Sequence, residues 1–183
     1  MLRDYLPAGP LVLDASAIIN ILGCGQTDAI FQGLLRECIV EQRTFEEIIR
    51  HPVPGASHTE VLARLEKNGV LRIERMNDTE YQTYLSLIQG SLSSRLDSGE
   101  SASIAVAISR GYGIILDENK ARRIFAALPN RTEYACTLQL FFSVAFNMAW
   151  PVEQLSYVVA EARRYARLGV PKDSQHLLAS LAL

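Results

Sequence analysis

Three carboxylates in this chain stand where a folded sheet would gather them. Asp14 closes the apolar run Leu11-Val12-Leu13 and is followed by Ser16 and a helical pattern. Asp117 closes a second apolar run, Gly113-Ile114-Ile115-Leu116, again ahead of a helical pattern. Glu100 lies at the start of a strongly apolar helix, Ser101 to Arg110, opened by Asp97-Ser98-Gly99 and stopped by Gly111. An acid between a buried strand and a helix sits at the strand's carboxyl end, the edge where open α/β sheets bind ligands. Oxygen donors of this kind suit Mg²⁺ or Mn²⁺, and magnesium takes only one or two carboxylates while keeping several waters. Two such ions activate water for in-line attack on a phosphodiester and stabilise the leaving oxygen. Crowded acids repel one another, which raises their pKa values until a cation arrives. This chemistry requires no His or Cys nucleophile.

The elements that must position these acids follow from periodicity and turn residues. Ile18 to Leu22 reads as a short helix ended by glycines, and Thr27 and Asp28 cap the next, with Ile30, Phe31, Leu34 and Leu35 on one face. Cys38-Ile39-Val40 is a strand candidate. Thr44 opens a helix carrying Phe45, Ile48 and Ile49 before Pro52. Ser57 begins a helix through Leu65, and Val70 to Arg75 alternates as a strand. Asp78 caps a helix that turns Tyr81, Tyr84, Leu85 and Ile88 inward, and Gln89 to Leu96 reads as a loop. After Asp117 a helix runs to Leu128, Glu133 to Cys136 is a last strand, and helices follow over Thr137–Met148, Val152–Leu168 and Asp173–Leu181. Strands alternating with helices predict a three-layer α/β/α sandwich with a mostly parallel sheet. Right-handed crossovers then bring Asp14 and Asp117 to one rim, with the first turn of the Glu100 helix nearby.

The chain's 183 residues suffice for one domain with a real core, read as about 11–150 plus a helical extension over 151–183. A net charge of −2 argues against a broadly basic nucleic-acid coat, yet a local arginine cluster can still contact phosphates. Three scattered cysteines, Cys24, Cys38 and Cys136, read as buried free thiols in a reducing cytoplasm. The amino terminus lacks a signal-peptide layout, and no apolar run reaches membrane-spanning length.

Three blocks, in order, resemble those of PIN domains. Leu11-Val12-Leu13-Asp14-Ala15-Ser16-Ala17-Ile18-Ile19 resembles their opening. Leu96-Asp97-Ser98-Gly99-Glu100-Ser101-Ala102-Ser103 resembles their third block, in the Gly-Glu form of a bacterial and archaeal branch. Gly113 to Arg122 resembles their fourth. The likeness spans roughly residues 11 to 150. It implies a metal-dependent ribonuclease acting on RNA, often the toxin of a toxin–antitoxin pair, with an antitoxin protein as partner and self-association into a homo-oligomer. By position it makes Asp14, Glu100 and Asp117 metal-binding acids and Ser16 the small polar residue beside the first. Thr137 falls on a polar position at the final strand end. The remaining family acid follows the second strand; Glu47 fits best, with Glu46 and Glu60 as rivals.

Each acid also has a structural explanation. Asp14 and Asp117 read equally as plain N-caps, and Glu100, Glu47 and Glu60 complete capping boxes with Asp97, Thr44 and Ser57. Arg122 and Arg123, one turn past Asp117, suit RNA phosphates or a carboxylate clamp. Arg163, Arg164 and Arg167 form a basic patch that suits a solvated face or an RNA track. His51, His58 and His176 lack metal-ligand spacing. The stripe Phe141, Phe142, Val144, Ala145, Phe146 and Met148 suits core or an oligomer face. Two other functions compete: a catalytically inert PIN-like module that binds an antitoxin or itself, and a phosphatase with a nucleophilic Asp14. The latter chemistry wants a second Asp two residues on, where this chain has Ser16.

Overall fold

The computed structural model describes residues 2–48, 51–89 and 95–181. Five strands form one sheet: β1 (Leu11–Leu13), β2 (Cys38–Glu41), β3 (Leu71–Glu74), β4 (Gly113–Ile115) and β5 (Tyr134–Ala135). Their order is β3-β2-β1-β4-β5, and every pairing is parallel. The chain winds outward from β1 to β3, then returns across β1 to lay down β4 and β5. That reversal makes β1/β4 the topological switch point, where a crevice opens beyond the strands' carboxyl ends. Leu13 is in register with Ile115, so Asp14 and Asp117 leave adjacent strands at the same rim.

The alternation of β1 is legible in its burial. Leu11 and Leu13 enter one apolar cluster with Ile21, Phe141 and Val158, while Val12 enters a second with Ile104, Ile114 and Phe125. Side chains of a strand point alternately to opposite faces, so β1 is buried on both sides. Helices cover both faces of the sheet, as a parallel sheet requires. On the first lie α1 (Ala15–Gly23), α2 (Thr27–Leu34), α8 (Thr137–Asn147) and α9 (Val152–Glu161). On the second lie α6 (Ser98–Arg110) and α7 (Asn119–Ala127), with α5 (Asp78–Ile88) packed on α6. Two helices follow β2: α3 (Gln42–Glu47) and α4 (His58–Lys67). Cys24, Cys38 and Cys136 are buried and free. No helix among the described residues is long and apolar enough to cross a membrane.

Several local expectations shift. Helix α3 begins two residues before Thr44, because the Glu41 carboxylate caps it by accepting from Arg43 N–H at 2.6 Å. Asn77, not Asp78, caps α5 in a box with Glu80. Leu35 leaves the buried face: it ends α2 in a left-handed conformation (φ 51°) and is exposed. Tyr81 is 39% exposed, and Leu87 fills the inward position instead. Ile49 and most of the 89–96 loop lie outside the described residues.

The tail after Trp150 contains a break where one long helix was expected. Helix α9 ends at Glu161 and passes into a π-helical turn, Ala162–Ala166, which closes with Arg167 in the left-handed region (φ 60°). A 3₁₀ turn over Lys172–Ser174 leads into α10 (Gln175–Ala179). The π turn lies against α1 so closely that a Cβ on Gly23 would come 2.7 Å from that of Ala166. Leu155, Val158, Val159, Leu168, Leu177 and Leu181 are buried in the same cluster as β1, so the tail is integral to that core.

Candidate metal centre

Asp14 caps α1, with Oδ1 accepting from Ala17 N–H at 2.7 Å. Ser16 stands 2.9 Å from both Asp14 oxygens and 3.5 Å from Asp117 Oδ2, so its hydroxyl lies between the two acids. Asp117 does not cap α7; Glu118 occupies the N-cap position of that helix without a side-chain cap bond. Asp117 is instead held from across the sheet. Thr137 N–H donates to Oδ1 at 2.7 Å, Thr137 Oγ1 donates to Oδ2 at 2.7 Å, and Asn20 Nδ2 donates to Oδ2 at 2.8 Å. Ser16 and Asn20 are four residues apart on α1 and therefore share the face turned to this rim.

Glu100 is reached through α6. Asp97 caps that helix by accepting from Glu100 N–H at 2.8 Å, and Glu100 returns a longer contact to Asp97 N–H at 3.5 Å. The capping-box reading therefore holds for this pair, and it leaves carboxylate oxygens facing the crevice. Single ligand oxygens of Asp97, Glu100 and Glu118 all lie within 4.8 Å of one another. That trio differs from Asp14, Glu100 and Asp117, the set read from the sequence; Asp14 and Asp117 stand beside it with the Ser16 hydroxyl between them. Asp97 and Glu118 escaped the sequence reading because each has an ordinary place at a helix start. Their signal was present in the doubled acids Asp97/Glu100 and Asp117/Glu118.

Glu47 enters from α3. Its carboxylate accepts the Gly99 N–H, and a Cβ at position 99 would fall 2.1 Å from Oε2, so only glycine admits this approach. Thr44 fastens the two helices, its Oγ1 donating to Gly99 carbonyl at 3.1 Å and lying 2.9 Å from Ser103 Oγ. Glu46 instead accepts from Gln42 on the exposed side of α3, and Glu60 is exposed on α4. Asp14, Glu47, Asp97, Glu100, Asp117 and Glu118 line one cleft of about 370 Å³, bordered also by Ser16 and by Gly169 of the tail.

The electrostatics follow from burial without counter-charge. Burial, then the neighbouring Asp117 and Asp97 charges, pushes Asp14 up to about 8. Burial, a hydrogen bond shared with Glu118 and the Asp97 charge push Glu100 up to about 9. Asp117 is also raised, because burial outweighs its Thr137 and Asn20 donors and the Arg122 charge. Glu47 is raised by burial and by Asp97. Arg122 does not line the cleft. It is 7% exposed, donates to Leu116 carbonyl at 3.0 Å and to Asp173 at 2.6 Å, and lies over the Tyr134 ring. Its charge acts on Asp117 from behind, while its donors face the protein and the tail.

A family model described as PIN domain matches residues 10–133, well over half of the chain. The chain belongs to the PIN-domain family. The match takes in all six cleft acids and ends before Thr137 and the tail. This PIN domain thus closes its site with elements outside the matched segment: Thr137 on Asp117, and Asp173 on Arg122. A comparison with curated proteins finds no match.

The cleft fits a divalent cation by the chemistry of its donors. All six acids offer hard oxygens, three of them within a single ion's reach, and burial without a facing cation raises the pKa values of Asp14, Glu47, Glu100 and Asp117.

Proposed function

We propose that this PIN domain is a metal-dependent ribonuclease that hydrolyses RNA phosphodiester bonds at the acidic cleft, with Mg²⁺ or Mn²⁺ as cofactor. The observation that carries this reading is the lining itself: six carboxylates from four segments, with no Lys or Arg among the described lining residues. Such a site relieves its charge by holding protons, as the raised pKa values record, or by exchanging them for a cation from outside. A divalent cation held there would supply the counter-charge for these carboxylates to ionise together and would lower the pKa of a water, so that once deprotonated it could serve as the nucleophile at phosphorus. Asp14, Asp97, Glu100, Asp117 and Glu118 would hold it, and Glu47, reaching over Gly99, closes the upper edge.

The chain's other groups set the geometry of those ligands. Ser16 keeps the Asp14 and Asp117 carboxylates facing each other, and Thr137 and Asn20 fix both Asp117 oxygens. Partners that orient ligating carboxylates typically control metal affinity by about 10- to 100-fold. Arg122 offsets part of the Asp117 charge from inside the protein. A toxin role, with a small antitoxin covering the cleft, fits the same chemistry; a short upstream reading frame encoding a DNA-binding peptide would mark that arrangement.

The test is an RNA cleavage assay with and without Mn²⁺. Wild-type protein cleaves in Mn²⁺ and not in EDTA, and Asp14→Asn, which keeps shape and removes charge, lowers turnover by on the order of 10²-fold or more. Wild-type turnover in Asp14→Asn overturns the assignment. Failure of the wild-type protein to bind Mn²⁺ would leave the inert interaction module in its place.

A further inference from the structure

Carboxylates by themselves repel a polyanion, so a nuclease cleft of this kind needs positive charge along the substrate's path. Building on the nuclease reading, we infer that the groove beside the cleft carries the backbone of single-stranded RNA, with Arg95 and Lys120 as its phosphate contacts. This groove, about 560 Å³, shares Asp97 with the acidic cleft, so a strand lying in it runs directly to the ligating acids. Both cations lie next to the trio in the chain: Arg95 two residues before Asp97, Lys120 two residues after Glu118. Among the described residues neither has a carboxylate at ion-pair distance; they share this with most cations of the chain, and what sets them apart is that both line the groove that meets the cleft at Asp97.

Their positions also resist a stability explanation. Lys120 occupies the first turn of α7, and Arg95 precedes the cap of α6 by two residues. Both therefore sit at positive helix ends, where a cation is disfavoured and an anion is welcome. Arg95 and Lys120 thus set two cations along one flank of the acidic cleft. Tyr84 and Ser98 complete the wall, their hydroxyls 3.1 Å apart. A single strand suits the depth of the site: Asp14 is 3% exposed and Asp117 9%, so the backbone must bend inward to reach them. A stiff duplex resists that bend. The rival path is the tail patch of Arg163, Arg164 and Arg167, all exposed, since the tail also borders the cleft at Gly169.

The test measures binding of a fluorescein-labelled single-stranded RNA dodecamer to the full chain by anisotropy, in EDTA and across a salt series. R95Q/K120Q weakens binding by about tenfold and reduces the slope of log affinity against log salt by about 1.4, as expected for two phosphate contacts on a single strand. R95K/K120R restores both, and R163Q/R164Q changes neither. Wild-type affinity and slope in R95Q/K120Q overturn the groove, as does a loss confined to R163Q/R164Q. A duplex of equal length that binds as tightly as the single strand also overturns it. Cleavage by the wild type in Mn²⁺ is followed in parallel. Cleavage with unaltered R95Q/K120Q binding removes the groove and leaves the nuclease. Binding that depends on Arg95 and Lys120 without cleavage does the reverse.

Discussion

The molecule holds two clusters of buried acids, and they are opposites. Beside α5 and α6, Glu80 is fully buried, yet Arg110 donates to its two oxygens at 2.6 and 3.1 Å and also reaches Glu74. Glu80 additionally closes the capping box with Asn77. At the switch point, Asp14, Glu100 and Asp117 are similarly sequestered but line one cleft with other acids, and Arg122 turns its donors elsewhere. Burial of a carboxylate is therefore no signature of a site. The distinguishing feature is burial with the counter-charge left out, which raises the pKa values of Asp14, Glu100 and Asp117.

Removing the internal cation is the most severe way to erase that contrast. Arg110→Ala leaves Glu80 and Glu74 without their guanidinium and costs on the order of 3 kcal/mol in urea denaturation, because a buried charge loses its partner. Mn²⁺ affinity stays at the wild-type value. A large change in Mn²⁺ affinity instead would mean that the two clusters are coupled.

Proton linkage gives the next effect. Asp14 and Glu100 have folded-state pKa values raised to about 8 and about 9 from 3.8 and 4.5. Groups raised in this way favour folding fully below their unfolded values and lose that contribution as pH climbs through the folded ones. Metal-free protein should accordingly melt lower at pH 9 than at pH 6, by on the order of 10 °C. Saturating Mn²⁺ binds the ionised acids and should remove or reverse this trend. Melting curves at several pH values check both halves, and a metal-free midpoint that rises with pH contradicts the charge accounting.

The mildest intervention touches one contact. Gly99→Ala drives a Cβ into the Glu47 carboxylate and displaces it from the helix start. Mn²⁺ affinity, measured calorimetrically, should fall by about tenfold, near 1.4 kcal/mol, while Glu60→Gln on the exposed face of α4 leaves it unchanged. Equal effects from the two substitutions would remove Glu47 from the site.

Much of this was legible in the chain. The runs before Asp14 and Asp117 are short, apolar and bounded by turn residues, so their placement as adjacent parallel strands follows from pattern and handedness. Glu100 was legible through its capping box, which proved real without excluding a place in the cleft. Thr44 was misread as a cap because its spacing to Glu47 imitates a box; the residue is buried and bonds to α6 instead. Asp97 and Glu118 were overlooked because a helix start accounts for an acid on local grounds alone. Asn20 carried no local signal, since its partner Asp117 is 97 residues away.

The sequence by itself determined which residues are acids, which strand ends carry them, and which rim of the sheet they share. Periodicities of 2 and 3.6 residues encode those facts locally. Only the tertiary structure decided which carboxylates meet a guanidinium and which are left to meet each other. That outcome rests on contacts such as Arg110–Glu80 and Arg122–Asp173, which span 30 and 51 residues of chain. Charge pairing acts through space over a few ångströms, and no spacing along the chain encodes a distance that packing alone creates.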